Sequence, residues 1–239
     1  RYRSSAASDV YKRQKQMSKK KIAIQGELGA YSHIAAENLY KETEIKTCAT
    51  FEETFKQAYN DSNCKIVIPI ENSLAGRVAD IHYLLPKYKL QIHGEHFQPV
   101  EHNLLCKQDA NMEDIEFVRS HAQAIGQCQN LINKKKFKQI ISADTAGSAK
   151  DLAEGNDKSI AAIASELSAK IYNLKILQKN IEDEKGNVTR FLIMGKNIKQ
   201  PEFSQNKKFI TSCIFRVKSE PSALYLSLIH ISEPTRRYE

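Results

Sequence analysis

The chain has 239 residues and a formal net charge of +8, and 41% of its residues are hydrophobic. This composition is typical of a globular protein with one large domain, or one two-lobed unit plus a fragment. The positive charge is concentrated in residues 1–21, which carry a net +7, whereas residues 22–225 carry only +1. We therefore expect no nucleic-acid binding by the folded part, and no apolar run approaches the roughly 20 residues that a membrane span needs.

The five cysteines indicate a reducing compartment. Their number is odd, they are scattered, and none stands in a Cys-x-x-Cys pair, which argues against a disulfide framework. The N-terminal residues also lack the apolar stretch of a secretory signal. These features predict a cytoplasmic protein with free thiols and no membrane partner.

The two ends of the chain differ from the rest of the sequence. Residues 1–16 show no hydrophobic period and precede Met17, a plausible natural start. Residues 226–239 likewise do not continue the pattern of the fold. We interpret both ends as foreign sequence, with disordered natural tails as the alternative, and leave them out of the fold prediction.

Between the ends, short β-rich segments alternate with helical patterns. A first set of strands and helices occupies residues 21–88, an extended stretch covers residues 90–106, and a second set covers residues 117–172. Two sets of βα units on either side of a crossover predict an α/β protein with two lobes around a cleft. Ligands of open α/β sheets bind beyond the carboxyl ends of strands, so we expect the functional residues in the loops that follow strands.

The loop after the first strand has the sequence Gly-Glu-Leu-Gly-Ala-Tyr-Ser and ends at Ser32. Two glycines allow a tight turn at the entrance of a helix. The free N–H groups of that helix start, with the Ser32 hydroxyl, would suit an anion. An ordinary helix cap explains the same residues.

The loop after the third strand contains the polar triplet Glu71, Asn72 and Ser73. The triplet follows an apolar run, and the preceding proline and isoleucine continue the core pattern directly into it. A surface turn accounts poorly for this arrangement. We favour a binding site, with the turn as the alternative.

Two further loops follow strands of the second set. Ser120 and Gln123 have the spacing of a capping box, which accounts for much of that motif. His121 is either a ligand contact or a neighbour of the cap. Residues 144–148 repeat the pattern one strand later. Two helix starts side by side would present a doubled set of N–H donors to an anion.

The last motif is Asn-Val-Thr-Arg-Phe, which contains Thr189 and Arg190. Neighbouring residues of a strand face opposite directions. The hydroxyl and the guanidinium therefore reach one site only if the strand is irregular at this point.

The histidines at positions 93, 96 and 102, together with Cys106, have ligand types that zinc accepts. Their segment has the pattern of a pair of strands, which is the simpler explanation. We expect no metal.

Taken together, these motifs resemble the prephenate dehydratase family over about residues 22–195. The matching blocks, in chain order, are residues 29–32 with the family's first loop, residues 69–76 with its Pro-x-Glu-Asn-Ser signature, residues 120–128 with its Ser-His-Pro-Gln-Ala-x-x-Gln-Cys motif (Ala122 replaces the proline), residues 144–146, and Thr189-Arg190-Phe191 with its most telling tripeptide.

The resemblance implies a catalytic region at residues 17–200 with the type 2 periplasmic-binding-protein architecture. The first lobe would span about residues 21–100 with a return segment at about 185–200, and the second lobe about 101–184. It also implies that the chain dehydrates and decarboxylates prephenate to phenylpyruvate in phenylalanine biosynthesis, as a homodimer or homotetramer and without a cofactor.

The resemblance further implies roles for single residues. Thr189 would assist the departing hydroxyl, Arg190 would hold a substrate carboxylate, and Glu71 would order Arg190 or another donor. The remaining substrate-binding residues that it implies are Ser32, Asn72, Ser73, Ser120, His121, Gln123, Thr145, Ala146 and Phe191.

Residues 208–225 resemble the start of the family's regulatory ACT domain, where phenylalanine binds as an effector. The effector-binding loop would contain Ser222, Ala223 and Leu224, and Ser222 stands where the family has glycine. The chain from residue 209 onward is shorter than the ~50 residues of even a small domain, so the resemblance implies a truncated regulatory domain.

Two other functions stay open. An arogenate dehydratase acts on the same ring with an ammonium group in place of the keto group, and no residue here distinguishes the two substrates. A non-catalytic protein of the same two-lobed fold would bind a small anion and would have no need of the Thr-Arg-Phe element.

Overall fold

The structure is a computed structural model, and it describes residues 21–41 and 43–197 together with Glu220, Ser222 and Tyr225. Within these residues, no helix has both the length and the apolar character required to cross a bilayer. The chain divides into two units after residue 199, so the described residues 21–41 and 43–197 belong to the first unit, and Glu220, Ser222 and Tyr225 belong to the second.

Most of the predictions for the two ends fall outside the described residues. Those residues and segments are 1–16, 226–239 and, in the expected effector loop, Ala223 and Leu224. Ser222 is described: it is exposed and has a φ of 61°. Glycine adopts this left-handed conformation more easily than serine does, and glycine is the residue that the family has there.

The first lobe is built on a mixed sheet. Its strands are β1 (Lys21–Gln25), β2 (Glu44–Cys48), β3 (Cys64–Asn72), β4 (Gly76–Arg77), β5 (Gln91–Pro99) and β11 (Val188–Gly195). The strand order is β2-β1-β3-β11-β5, and β4 pairs with the end of β3. The first three strands of this order are parallel, whereas β11 runs antiparallel to both of its neighbours.

Helices cover both faces of this sheet. They are α1 (Tyr31–Leu39), α2 (Phe51–Asn60) and α3 (Ala79–Tyr88). Successive residues of β3 face opposite sides of the sheet: Ile66 packs with Phe55 of α2, and Val67 packs with Ala36 of α1. Thr50 starts α2, because its hydroxyl accepts a hydrogen bond from the Glu53 N–H at 3.1 Å.

The second lobe is a smaller sheet with four short helices. Its elements are β6 (Asn103–Cys106), β7 (Phe117–His121), α4 (Ala122–Gly126), α5 (Gln129–Lys135), β8 (Lys138–Ser142), α6 (Thr145–Glu154), β9 (Ile160–Ala164), α7 (Glu166–Ile171) and β10 (Lys175–Gln178). The strand order is β10-β6-β9-β7-β8, with β7, β8 and β9 parallel. Successive residues of β9 face opposite sides of the sheet and belong to two separate hydrophobic clusters, Ala162 to one and Ile163 to the other.

The prediction of two α/β lobes is confirmed. The chain passes between the sheets twice, through residues 100–102 and again through residues 179–187. Both passages lie beside the carboxyl end of β3, so the polar loops after the parallel strands of both sheets face the space between the lobes.

The capping box predicted from Ser120 and Gln123 is wrong. Ser120 is not the cap of the helix, because its Oγ is buried and donates to the carbonyl oxygen of Ile163 at 2.7 Å. The cap is His121, whose Nδ1 accepts from the Gln123 N–H at 3.3 Å. Two short helices, α4 and α5, follow this cap.

Candidate active site

An open cavity of about 470 Å³ lies between the lobes. This volume is in the range of small-molecule sites, which combine a concave surface with a few convergent polar groups. The predicted site residues that line it are Ser32, Asn72, His121, Gln123, Thr145, Thr189 and Phe191. Another cavity, of about 460 Å³, lies at the outer edge of the first sheet beside β2, and no predicted site residue lines it.

Thr189 and Asn72 pair across β11 and β3, and their side chains meet at the cavity. The Asn72 Nδ2 donates to the Thr189 Oγ1 at 2.9 Å. This direction is fixed, because the Asn72 Oδ1 accepts from the backbone N–H groups of Leu74 at 3.0 Å and Ala75 at 2.8 Å. Thr189 is therefore the acceptor in this pair, and its own proton remains available to a ligand in the cavity.

A chain of polar side chains continues from Asn72 along the floor of the cavity. Asn72 Nδ2 donates to Asn187 Oδ1 at 2.6 Å, and Asn187 Nδ2 donates to Gln127 Oε1 at 2.8 Å. Gln127 Oε1 lies 2.9 Å from His102 Nε2, and His102 Nδ1 lies 3.0 Å from the Tyr31 hydroxyl. These hydrogen-bonded side chains thus link the second lobe and both crossover segments to β11, the strand that carries Thr189.

Burial controls the protonation of the two ionisable groups in this chain. It raises the pKa of Tyr31 well above its ordinary value, and the negative charges nearby add to the effect. Burial also lowers the pKa of His102, although the hydrogen bond to Gln127 and the charge of Glu182 act in the opposite direction. Both side chains are therefore uncharged at neutral pH.

Two helix starts face the cavity. The start of α1 follows Ala30 and has no side-chain cap, so its first N–H groups are available. The Ser32 hydroxyl is occupied, because it donates to the carbonyl oxygen of Gln25 at 3.1 Å. The start of α6 is at Thr145, and the preceding Asp144 caps it by accepting from the Gly147 N–H at 2.6 Å. The positive end of the α1 dipole favours an anion between the lobes, whereas the Asp144 carboxylate also lines the cavity and offsets the positive end of α6.

Arg77 adds a full positive charge to the same cavity. It lies in β4 and is the one lysine or arginine among the described residues that line the cavity. Within the described part of the chain it forms no ion pair. Its guanidinium is therefore available to a carboxylate ligand.

The structure corrects the predicted placement of Arg190. Its side chain lies on the opposite face of β11 from Thr189, as regular alternation along a strand requires. There the Arg190 Nε and Nη2 contact Glu95 Oε2 at 2.8 and 2.7 Å, and the guanidinium carbon lies 5.9 Å from the centre of the Phe97 ring. The pairing with β3 shifts register after Arg190, but this irregularity does not bring the guanidinium to the cavity.

Glu71 and Ser73 also lie outside the cavity lining. Glu71 is exposed, and its Oε2 lies 3.8 Å from the Arg190 Nη1, so the two residues are neighbours away from the cleft. Ser73 holds the second crossover segment in place. Its Oγ donates to the carbonyl oxygen of Gly186 at 3.2 Å and accepts from the Val188 N–H at 3.0 Å.

Ser120 and Ala146, predicted as substrate-binding residues, are fully buried in the second lobe. Neither lines the cavity, and Ser120 is bonded to β9. Their place in the site motifs reflects packing beneath the loops that carry His121 and Thr145.

Direct hydrogen bonds join the two lobes. The carbonyl oxygen of Gly29, in the loop after β1, accepts from the Oγ atoms of Ser165 and Ser168 at 2.6 and 3.0 Å. Beside it, the Tyr172 hydroxyl donates to the carbonyl oxygen of Leu28 at 2.9 Å. Gly29 has a φ of +90°, which places its backbone close against α7.

Most of the cavity lining was not among the predicted site residues, including the polar or charged side chains of Tyr31, Arg77, His102, Gln127 and Asn187. Tyr31, Gln127 and Asn187 stand inside the sequence motifs, so membership of a motif was a usable signal for these three residues. His102 had been weighed as a zinc ligand. No pattern in the sequence marks Arg77.

The possible zinc ligands do not converge in the structure. Among the described residues, no group of three or more His, Cys, Asp or Glu side chains is placed to hold a metal ion. His102 contacts Gln127 and Tyr31 instead.

A family model for prephenate dehydratase matches residues 22–199. The chain is similar to arogenate dehydratase/prephenate dehydratase 2, chloroplastic, of Arabidopsis thaliana, with 39% identity over 211 residues, 88% of this chain and 55% of the relative. It is also similar to a bifunctional N-acyl-homoserine lactone acylase/prephenate dehydratase of Komagataeibacter europaeus, with 37% identity, 87% of this chain and 73% of the relative. The chain thus spans about half the length of the plant relative.

Among solved structures, the prephenate dehydratase of Staphylococcus aureus subsp. aureus Mu50 has the same fold. Its TM-score with this chain is 0.65 at 28% identity, and the match covers 78% of this chain and 69% of that chain.

Proposed function

This chain belongs to the prephenate dehydratase family, and we propose from that premise that it converts prephenate into phenylpyruvate, carbon dioxide and water. In prephenate a carboxylate and a pyruvyl group share one ring carbon, and a hydroxyl is attached to the opposite ring carbon. The bond from the ring to its carboxylate breaks, its electron pair enters the ring, and the carbon–oxygen bond of the hydroxyl breaks. The released hydroxide takes up a proton from the solvent to become water. The ring becomes aromatic, so the protein has only to hold a dianion and to assist the departing hydroxide.

The observation that carries the proposal is the direction of the bond between Asn72 and Thr189. The departing oxygen gains negative charge as its bond to the ring breaks, and a donor aimed at it lowers the barrier. Assistance of this kind typically contributes 10²–10⁴-fold in rate. Because a threonine hydroxyl is a very weak acid, we assign Thr189 a hydrogen-bonding and orienting role toward this oxygen.

The two carboxylates of the substrate require positive groups at some distance from Thr189. Arg77 supports this role, because it lines the cavity without an ion pair among the described residues. The start of α1, which has no side-chain cap, supplies N–H donors from the first lobe, and His121 and Thr145 line the cavity from the second. A carboxylate bound between them would bring together the first lobe and the second.

The test is turnover by the purified chain. We expect phenylpyruvate to form from prephenate, and arogenate should be assayed in parallel for formation of phenylalanine. Turnover of arogenate alone would replace the proposal with an arogenate dehydratase. Tight binding of prephenate without turnover would indicate a non-catalytic anion-binding protein.

Three properties of the family remain predictions for this chain: assembly as a homodimer or homotetramer, a cytoplasmic location, and a response to phenylalanine. The first is measured by light scattering of the purified chain. A calorimetric titration with phenylalanine measures the third, and an absence of heat would remove the effector role of the segment around Ser222.

A further inference from the structure

We propose that His102 is a positioning residue for this reaction, which acts on Thr189 through Gln127, Asn187 and Asn72. The inference rests on the proposed dehydratase function and adds a residue at the junction of the two lobes. His102 lies on the floor of the cavity in the first crossover segment, and 3% of its surface is exposed.

Two backbone N–H groups determine the direction of each hydrogen bond in this series of polar side chains. The N–H groups of Leu74 and Ala75 both point at the Asn72 Oδ1. Rotating the Asn72 amide by half a turn would place its NH₂ group against these two donors and leave all of them without an acceptor. Such unmade hydrogen bonds are costly, so the NH₂ group points at Thr189 and Asn187.

The direction of Asn72 sets the directions of the next two amides. Asn187 must present its Oδ1 to Asn72, so its NH₂ group faces Gln127. Gln127 must then present its Oε1, and this oxygen also lies 2.9 Å from the His102 Nε2. Two acceptors do not bond to each other, so the His102 Nε2 must carry a proton.

This requirement fixes the tautomer of His102. The ring is neutral at neutral pH because burial lowers its pKa, so it carries one proton. That proton is on Nε2, and Nδ1 is an acceptor that lies 3.0 Å from the Tyr31 hydroxyl, whose single proton is shared between this nitrogen and the carbonyl oxygen of Glu101 at 2.7 Å. The opposite tautomer would oppose the lone pairs of His102 Nε2 and Gln127 Oε1. The imidazole and the amides therefore hold one another in a single arrangement.

Backbone contacts keep the ring at this position. The His102 N–H donates to Glu182 Oε2 at 2.9 Å, and its carbonyl oxygen accepts from the Ile181 N–H at 2.8 Å. Both partners belong to the second crossover segment, so His102 joins the two passages between the lobes.

Loss of the His102 Nε2 donor would remove the hydrogen bond at one end of this series of polar side chains. Gln127 Oε1 would then accept a hydrogen bond from Asn187 alone, so the Gln127 side chain would rotate more freely. The Asn187 side chain would gain the same freedom, because its NH₂ group is held by Gln127. Asn72 would then hold the Thr189 hydroxyl over a wider range of directions. Misdirection of a donor reduces the rate of the chemical step more than it reduces substrate binding.

The experiment uses the full chain and compares His102→Leu with His102→Gln. Leucine has no donor, and we expect kcat to fall by roughly tenfold, the scale of coupling through such networks, with KM changed less than about twofold. A glutamine amide can place an N–H near the position of Nε2, so His102→Gln should recover most of the lost kcat. An unchanged kcat in His102→Leu would overturn the inference.

A second comparison separates positioning from a structural role. In the Thr189→Ala background, His102→Leu should cause no further loss of kcat, because the hydroxyl through which it acts is absent. An equal loss in both backgrounds would overturn the inference. If His102→Leu does not fold, as judged by thermal unfolding, His102→Asn replaces it, since the shorter amide does not reach Gln127. A natural chain without activity on prephenate and arogenate would overturn the proposed function itself.

Discussion

Asn72 donates to Thr189 at 2.9 Å across two neighbouring strands, and this one bond decides what Thr189 offers to a ligand. If the Asn72 amide were reversed, the Thr189 hydroxyl would donate its proton to the Asn72 oxygen. The backbone N–H groups of Leu74 and Ala75 prevent that reversal. The ability of the threonine to donate into the cavity is therefore set by a turn of the backbone rather than by the threonine.

Asn72→Asp should lower kcat by about 10² or more, although the side chain keeps its shape. The carboxylate still accepts from Leu74 and Ala75, but it also accepts the Thr189 proton, which is then lost to the substrate. Steady-state kinetics with prephenate measure the effect. Asn38→Asp, at an amide on α1 that bonds to Gln98, is the matched control and should retain kcat. Equal kcat values for the two variants would remove Asn72 from the mechanism.

Thr189→Val should lower kcat by roughly 10²–10⁴-fold, since it replaces the hydroxyl with a methyl group of similar size. Thr189→Ser keeps the donor and should recover much of the rate. Both are measured as phenylpyruvate formed from prephenate. A valine variant with near-natural kcat would show that the departing hydroxide needs no help from this residue.

Arg77→Gln should raise KM for prephenate by roughly ten- to a hundredfold, because a hydrogen bond to a charged group contributes about 1.5–3 kcal/mol. Arg190→Gln is the matched comparison. The Arg190 ion pairs are partly exposed, so their loss should cost at most about 1 kcal/mol of unfolding free energy and leave KM near its natural value. The reverse pattern, with KM sensitive to Arg190 alone, would restore Arg190 as the carboxylate ligand.

Gly29→Ala should destabilise the fold by roughly 2–4 kcal/mol. An added Cβ would lie 2.5 Å from the Ser168 Oγ and 2.8 Å from its Cα, at a φ of +90°. Gly186→Ala is the control, because its φ is +83° but nothing lies within 4 Å of an added Cβ, so strain alone should cost about 1 kcal/mol. Urea denaturation measures both values. Similar losses would show that the contact between the lobes does not tighten the backbone at Gly29.

The free energy of unfolding should fall as the pH is lowered through about 6.5, the ordinary pKa of histidine. Burial lowers the pKa of His102, so the unfolded chain binds a proton that the folded chain does not, and stability decreases toward acid pH. His33 contributes in the same direction. His102→Gln removes one of these groups and should give a shallower dependence in urea denaturation between pH 7 and 5. An unchanged slope would mean that His102 titrates alike in both states.

Much of the scaffold could be predicted because its signals are local. Strands such as Lys21–Gln25 are short apolar runs, and Thr50 with Glu53 marks a helix start by side-chain chemistry alone. The rule that loops after parallel strands carry the site then placed Asn72 at the cavity, whereas the role of Thr189 came from the family resemblance.

The remaining features depend on contacts between distant segments. Alternation along a strand shows that Thr189 and Arg190 face opposite sides, but only the pairing of β11 with β5 shows which side holds Glu95. The bond between Asn187 and Gln127 joins residues 60 positions apart. Neither residue has a local signal for it, so the polar chain beneath the cavity could not be inferred from sequence.

The central position of β11 determines the order in which the two sheets can be completed. β5 pairs with β11 alone among the described strands, so it stays unpaired until residues 188–195 have been synthesised. The second sheet, in contrast, is formed from the continuous stretch 103–178 and needs nothing that comes later. We expect the second lobe to acquire its structure on the ribosome before the first lobe is complete. In the meantime β5 would be exposed as an aggregation-prone edge strand.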